Sequence, residues 1–375
     1  MKLLFAVVDG GGNLPPQLAV ARALRARGAD LRITGHAGVR ARVEAEGFSF
    51  EPLADHHAFD PTIQRSLPAL MADFARVTLD RRFGHGVLAA AERFGADAVV
   101  MDMIAIAGTR VVLDAGIPTV VFVHCFYRGV QDAAAGPLGW LHRACGRDPM
   151  VADRRGALQI VAARRDLDNV KGAPPVRHVG VVWQGRPTAA VPDDLPRILV
   201  SLSTCAFAGQ RRMLQRILDA LQPLPVRTTV TVGPSIDAAG LRIPANAELH
   251  AWLDHDTVLR HASLLVGHGG HSTTMRALSF GVPVVVLPAN PMIDQRGVGA
   301  AVQRAGAGHL LPKHAGPERI RNTVGEILGN PGYHRAAARL GESIRSRDGA
   351  QEAADVITAY VAGRSGTGTA PVRGS

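Results

Sequence analysis

The stretch GHGGHSTTMRAL, Gly267–Leu278, follows a short apolar run and opens a helical pattern. The first N–H groups of a helix have no partner within the helix, and the helix dipole places partial positive charge there. The adjacent glycines let an anion approach the backbone, Ser272 and Thr273 offer hydroxyl donors, and His268 offers an imidazole N–H or a full charge. The stretch predicts a cradle for a diphosphate, although an isolated glycine pair is more often simply a tight turn, with Ser272 as a helix cap.

Two flanking features fit such a ligand. Trp252 lies upstream, just after another strand-like run, where an indole can stack on a nucleobase. Downstream, Asp294 and Gln295 follow the apolar run Val282–Leu287, and their polar groups suit the hydroxyls of a sugar. The three features together favour a nucleotide-sugar site.

The rest of the chain repeats one pattern, an apolar run, a Gly- or Ser-rich turn and then a helix, and such alternation predicts parallel sheets. The predicted strands are Leu3–Val8, Leu31–Thr34, Ala98–Met101, Thr119–Val123 and Leu158–Val161 in the first half, and Ile198–Leu202, Thr228–Val232, Glu248–Ala251, Leu264–Val266 and Val282–Leu287 in the second. The predicted fold is α/β, with two doubly wound Rossmann-like domains facing each other across a cleft.

The domain boundaries follow from composition. Residues 1–182 form the first predicted domain, and 183–196, poor in apolar residues, form a linker. Residues 197–362 form the second predicted domain, whose last helix is expected to pack back on the first domain. The Gly-, Ser- and Thr-rich residues 363–375 are expected to be a disordered tail.

Composition restricts the function. The net charge is +10, which favours anionic partners, but only 5% of residues are aromatic and the arginines are scattered, which argues against nucleic acid. The three cysteines form no CxxC pair and the histidines no HExxH, so no metal site is expected. No apolar run is long enough to cross a bilayer and the N-terminus shows no signal peptide, so a cytoplasmic protein is expected. A homodimer is compatible with the sequence.

The second half resembles the nucleotide-binding domain of family 1 GT-B glycosyltransferases, especially the actinobacterial natural-product (antibiotic) enzymes. Trp252, His268–Gly270, Gly281–Pro283 and Asp294–Gln295 meet that family's pattern over about 45 residues. The resemblance implies that the tryptophan region holds the base, the histidine loop and a serine–threonine loop the diphosphate, and the Asp–Gln pair the sugar. The implied donor-binding residues are Ser203, Thr204, Trp252, Leu253, His268, Gly269, Gly270, Ser272, Thr273, Asp294 and Gln295. Arg276 stands where many relatives carry a ribose-binding Glu, so ribose recognition differs here or Arg276 points elsewhere.

The first half resembles the family's acceptor domain through the GNLPPQLA stretch, residues 12–19. Most relatives have a catalytic histidine where this chain has Asn13, and that histidine is oriented by an aspartate that corresponds to Asp102. An amide cannot act as a general base near neutral pH. Three interpretations stay open: Asp102 or another side chain is the base, with His124 the best placed histidine; the acceptor needs little help; or the protein binds donor with poor catalysis. The segment Asp55–Gly86 reads as irregular loops that contact the acceptor.

The resemblance implies inverting transfer of a hexose or deoxyhexose from a UDP- or dTDP-sugar to a small natural-product acceptor, without cofactor or metal. Two alternatives stay open, a nucleotide-sugar 2-epimerase on the same fold and a non-catalytic partner that binds nucleotide sugar. The sequence leaves the acceptor and the sugar unidentified.

Overall fold

The computed structural model describes residues 1–57, 59–183, 185–290 and 294–365. The first domain holds seven strands, β1 Lys2–Val7, β2 Asp30–Gly35, β3 Phe50–Pro52, β4 Ala98–Asp102, β5 Thr119–Val123, β6 Leu158–Val161 and β7 Val176–His178. All pairings between them are parallel, and the order across the sheet is β3-β2-β1-β4-β5-β6-β7. Its helices are α1 Leu14–Ala26, α2 Arg40–Ala45, α3 Leu67–Leu79, α4 Arg81–Phe94, α5 Ile106–Asp114, α6 Tyr127–Ala135, α7 Pro137–Ala144 and α8 Val151–Arg154.

The second domain repeats the design with six parallel strands, β8 Arg197–Ser201, β9 Arg227–Thr231, β10 Ala247–His250, β11 Ala262–Gly267, β12 Val284–Val286 and β13 Gly308–Leu310. Their order is β10-β9-β8-β11-β12-β13. The helices are α9 Gln210–Leu221, α10 His255–Leu259, α11 His271–Ser279, α12 Gln295–Arg304, α13 Pro317–Gly329, α14 Pro331–Arg345 and α15 Gly349–Ser365. The predicted pair of doubly wound α/β domains is confirmed.

The last helix returns to the first domain. Ala353, Ala354 and Ile357 of α15 are fully buried in the apolar core that α1 shares with β1 and β4. Arg27 at the end of α1 donates to Asp355 at 2.6 Å. Gly363–Ser365, predicted to begin a disordered tail, instead complete α15, and the remaining residues of that predicted tail lie outside the described residues.

The segment Asp55–Gly86 is not the irregular region that the sequence predicted. Ser66 caps α3 by accepting from the Ala69 N–H at 3.5 Å, and the side chain of Asp80 caps α4. Only the part before Ser66 lacks helix and strand among its described residues. The polar residues Arg81, Arg82 and His85 lie on the exposed face of α4, as an amphipathic helix requires.

Among the described residues no helix combines the length and apolar character needed to cross a membrane.

Candidate active site

A cavity of about 1040 Å³ lies between the two sheets. Its wall comes from the segments that follow β1, β4 and β5 in the first domain and β8, β10 and β11 in the second. Ligands of open parallel α/β sheets bind beyond the carboxyl ends of the strands, and both sheets present those ends to this cavity. The fold therefore brings the predicted acceptor and donor residues to one space.

The loop between β11 and α11 has the geometry of an anion site. Gly269 has φ of +82°, and a Cβ there would lie 2.7 Å from the Gln295 carbonyl oxygen, so only glycine fits. Gly270 stands at the N-cap of α11 without a side-chain cap bond. Ser272 and Thr273, in the first turn, line the cavity. The free N–H groups and the hydroxyls thus face the space where a diphosphate would lie.

His268 lies against this loop, since a Cβ on Gly270 would approach its Nε2 to 2.5 Å. The side chain is buried and lines the cavity. Burial lowers the pKa of His268 to about 4, against an opposing contribution from the Ser201 backbone. The ring is therefore neutral at pH 7, and of the two roles that the sequence allowed it, the neutral N–H donor is favoured.

A second loop, after β8, faces the first. Ser203 has φ of +102°, and it is the single non-glycine residue with positive φ among the described residues. Such strain in a side-chain-bearing residue concentrates at functional sites. Its Oγ accepts from the Cys205 N–H at 3.0 Å, which stabilises the turn, and Ser203 and Thr204 both line the cavity. The predicted phosphate-side pair is thus placed on the cavity wall.

At the outer end of the donor side, Trp252 is 77% exposed and lines the cavity with Leu253. An exposed indole face is free to stack on a base. Arg276 donates to Asp256 at 2.6 Å and to Asp254 at 3.3 Å. The guanidinium is thus held by two carboxylates, of which Asp254 also lines the cavity.

Asp294 and Gln295 are adjacent in the sequence, but only Asp294 faces the cavity. Asp294 lines the cavity, and its carboxylate accepts from the Phe126 N–H of the first domain at 3.1 Å. Burial raises the pKa of Asp294 to about 6. Gln295 is fully buried and does not line the cavity; its Oε1 accepts from the N–H groups of Ala289 and Asn290 at 2.7 and 2.8 Å. Gln295 therefore fixes the loop behind the site rather than facing the ligand.

On the acceptor side, Asn13 and Asp102 form the centre of a buried polar network. Asn13 Nδ2 donates to Asp102 Oδ2 at 2.5 Å and to the Val8 carbonyl at 2.7 Å. Gln17 donates to the same carboxylate oxygen at 2.7 Å, and the Ile104 N–H donates to the other at 2.9 Å. Asp102 is fully buried and does not line the cavity, whereas Asn13 does. This geometry does not favour Asp102 as the direct base.

Two histidines face the cavity where the sheets approach each other. His124 follows β5 and is half-buried, and His271 opens α11 from the opposite domain. Burial lowers the pKa of His124, opposed by Asp102, and lowers that of His271 to about 4, with His124 contributing. Among the described residues, His124 Nδ1 and His271 Nε2 are buried without a hydrogen-bond partner. Sequence reasoning missed His271, although it stands within the quoted histidine loop.

Among the described residues no group of three or more His, Cys, Asp or Glu side chains could hold a metal ion.

Gln17, like His271, carries a site role that sequence reasoning did not assign, and its only signal was its place one helical turn after Asn13.

The chain is similar to several known proteins in sequence and in structure. Residues 215–360 match the family model described as erythromycin biosynthesis protein CIII-like, C-terminal domain. The chain is 26% identical to 4'-demethylrebeccamycin synthase of Lentzea aerocolonigenes, an alignment that covers 96% of this chain and 99% of that protein. The structure of CalG4, the calicheamicin glycosyltransferase, superposes with a TM-score of 0.76 at 22% identity, over 96% of this chain and 98% of that one. The glycosyltransferase VinC in complex with dTDP superposes with a TM-score of 0.73 at 18% identity, over 96% and 100%.

The two sheets, the cavity between them and these similarities agree with one another. The chain has the GT-B fold of glycosyltransferases, and it is similar over 96% of its length to 4'-demethylrebeccamycin synthase and to the calicheamicin glycosyltransferase CalG4.

Proposed function

We propose that the protein transfers a hexose or deoxyhexose, with inversion, from a UDP- or dTDP-sugar to a small natural-product acceptor. The proposal rests on one observation. A continuous cavity joins Gly270 and Ser272, at the start of α11, to Asn13 on the acceptor side. The dTDP bound by VinC and the product named for the rebeccamycin synthase support a nucleotide-sugar donor and a natural-product acceptor.

The leaving nucleotide diphosphate would develop negative charge against the N-terminus of α11. The helix-start N–H groups and the hydroxyls of Ser272 and Thr273 are oriented before the reaction, so they stabilise that charge without reorganising. Neutral His268 adds an N–H donor to the same space. Because these groups meet the phosphate charge, the proposed mechanism requires no metal ion.

The proton of the acceptor hydroxyl would go to His124. This imidazole lies on the cavity wall, and its pKa, lowered by burial, leaves it neutral and able to accept a proton at pH 7. Asp102 has no cavity surface and already accepts three hydrogen bonds. Its negative charge favours the imidazolium that forms, so Asp102 acts electrostatically while Asn13 holds the loop.

The test is incubation of the purified protein with a panel of UDP- and dTDP-sugars, first alone and then with apolar phenols and alcohols. Slow hydrolysis of one donor alone, and an inverted glycoside with an acceptor, are the expected results. Rearranged sugar would identify an epimerase instead. Donor binding without hydrolysis or transfer would identify a non-catalytic binding protein.

A further inference from the structure

The cavity extends far below the strand ends into the first domain. Val121 of β5 and Gln159 of β6 both line it, and they are paired in register. Val121 lies three residues before His124, and a strand rises about 3.3 Å per residue, so this part of the wall lies roughly 10 Å below the proposed base. An acceptor whose hydroxyl reaches His124 therefore has a deep pocket beneath it.

The wall of this deep pocket is mainly apolar. Phe59, Leu70, Phe74, Ile106, Val130 and Leu138 line it from the loop before α3 and from α3, α5, α6 and α7. Such a wall favours an acceptor with an extended apolar body.

A carboxylate on α8 interrupts the apolar wall. Asp153 of α8 lines the cavity, and its Oδ1 accepts from the Tyr127 hydroxyl at 2.5 Å and from Gln159 Nε2. Tyr127 is fully buried, and burial together with Asp153 raises its pKa well above the ordinary value, so it remains a donor. Among the described residues no group donates to Oδ2, which is not among the buried unpartnered atoms and therefore keeps accessible surface on a residue that lines the cavity.

The arginines on the described part of the cavity wall are paired with carboxylates other than Asp153. Arg42 and Arg276 are the arginines that line the cavity among the described residues, and each is already paired, with Asp9 at 2.7 Å and with Asp256 at 2.6 Å. Asp153 makes no ion pair of its own among the described residues. An anchored carboxylate with one open oxygen in an apolar pocket requires a donor from the ligand, since a buried acceptor without one is costly.

We propose that Asp153 determines which acceptor molecules bind. Its carboxylate would accept a hydrogen bond from a donor group at the end of the acceptor molecule that is remote from the reacting hydroxyl. The inference rests on the proposed function, because it takes the pocket below His124 as the acceptor site. The donor is a hydroxyl or an ammonium group on an elongated apolar molecule. A carboxylate or a carbonyl at that end is disfavoured, since both only accept.

The test uses four biphenyl probes that differ in one polar end: 4-hydroxybiphenyl, 4-(aminomethyl)biphenyl, 4-methylbiphenyl and 4-acetylbiphenyl. Calorimetry measures their binding to the parent, to Asp153→Asn and to Asp132→Asn, each saturated with dTDP or UDP. Asp132→Asn is the matched control, because it removes the same charge from an exposed pair with Arg128 on α6, outside the cavity. A second comparison at raised salt separates the ammonium, whose attraction weakens, from the hydroxyl.

The parent and Asp132→Asn should bind the hydroxy or ammonium probe at least tenfold more tightly than the methyl probe, as a hydrogen bond to a charged group allows. In Asp153→Asn, Tyr127 and Gln159 hold the amide oxygen and turn its N–H donors to the cavity. The preference for the ammonium probe, which can only donate, should therefore vanish, and the acetyl probe should gain affinity. Loss of stability cannot produce such a gain.

Equal binding of the hydroxy, ammonium and methyl probes by the parent would overturn the proposal, as would an ammonium preference retained in Asp153→Asn or no binding of any probe. The proposed function fails separately. A parent that shows the preference but neither hydrolyses nor transfers any nucleotide sugar refutes the reaction alone, whereas sugar transfer without the preference refutes only the role of Asp153.

Discussion

Replacement of Asp102 by asparagine separates a positioning role from a role as the base. Three N–H groups converge on the carboxylate, and Asn13 cannot turn its amide away, because its Oδ1 accepts from the Gly10 N–H and its Nδ2 also donates to the Val8 carbonyl. In Asp102→Asn the new amide keeps the bond from Ile104 but points an N–H₂ group at Asn13 Nδ2. The bonds that Asn13 and Gln17 donate to Oδ2 are both lost. Gln17 can turn its unpartnered Oε1 to the new amide, which leaves one buried donor, on Asn13, without that acceptor.

The expected cost is about 1.5–3 kcal/mol in the free energy of unfolding, measured in urea at pH 7. If Asp102 only positions the loop, kcat should fall by about tenfold or less, with dTDP or UDP affinity unchanged. His124→Gln should instead lower kcat by about 10²–10⁴, the usual contribution of a general base, with little loss of stability.

The reversed outcome refutes the reasoning. A fall of 10²–10⁴ in kcat for Asp102→Asn without any loss of stability would make Asp102 itself the proton acceptor. A fully active His124→Gln would remove His124 from the chemistry. If both variants are active, the acceptor ionises without help, and a pH profile that follows only the acceptor's own pKa would agree with that conclusion.

Three further predictions concern the donor side. His268→Ala should weaken UDP and dTDP binding by about tenfold, because a cavity-facing N–H donor is lost; unchanged calorimetric affinity would remove His268 from the site. Turnover should persist in excess EDTA, and a loss restored by magnesium or manganese would contradict the metal-free proposal. Burial raises the pKa of Asp294 from 3.8 to about 6, so its contribution to stability is present below pH 4 and is lost as the pH rises towards 6. In Asp294→Asn the free energy of unfolding, measured by urea titration, should no longer fall between pH 4 and pH 6. A parent protein whose free energy of unfolding does not change over that range would contradict the raised pKa.

The long strands and the diphosphate loop were predictable because they are local patterns. Thr119–Val123 is a fully buried run bounded by turn signals, and the structure begins and ends it at those residues. Phe50–Pro52, Val176–His178 and Gly308–Leu310 have three residues each and only partial burial, so they carry no readable periodicity. Their pairing is imposed by neighbouring strands.

The donor-site residues could be predicted because they lie close to one another in the sequence. The acceptor pocket, in contrast, is assembled from segments that are far apart in the sequence. Asp153 joins Tyr127 and Gln159 only through the packing of α8 against the sheet. Gln295 looked like a sugar ligand in sequence, yet its amide oxygen accepts two backbone N–H groups and faces inward. Side-chain direction at such positions depends on tertiary contacts that no local pattern contains.

The proposed base, His124, should become more basic when the donor is bound. His124 and His271, which face the cavity from opposite domains, are neutral in the free protein, because burial lowers the pKa of each. A diphosphate bound at the start of α11, where His271 stands, brings two or more negative charges near both rings, and nearby negative charge raises a histidine pKa. His124 would then become a stronger proton acceptor only when the donor is loaded, which limits deprotonation of the acceptor to the ternary complex. Histidine titration followed by NMR, with assignment through His124→Gln, should show the pKa of His124 rising on addition of dTDP or UDP. An unchanged pKa would mean that the diphosphate charge is fully neutralised by the helix start and the hydroxyls, and that proton transfer is independent of donor binding.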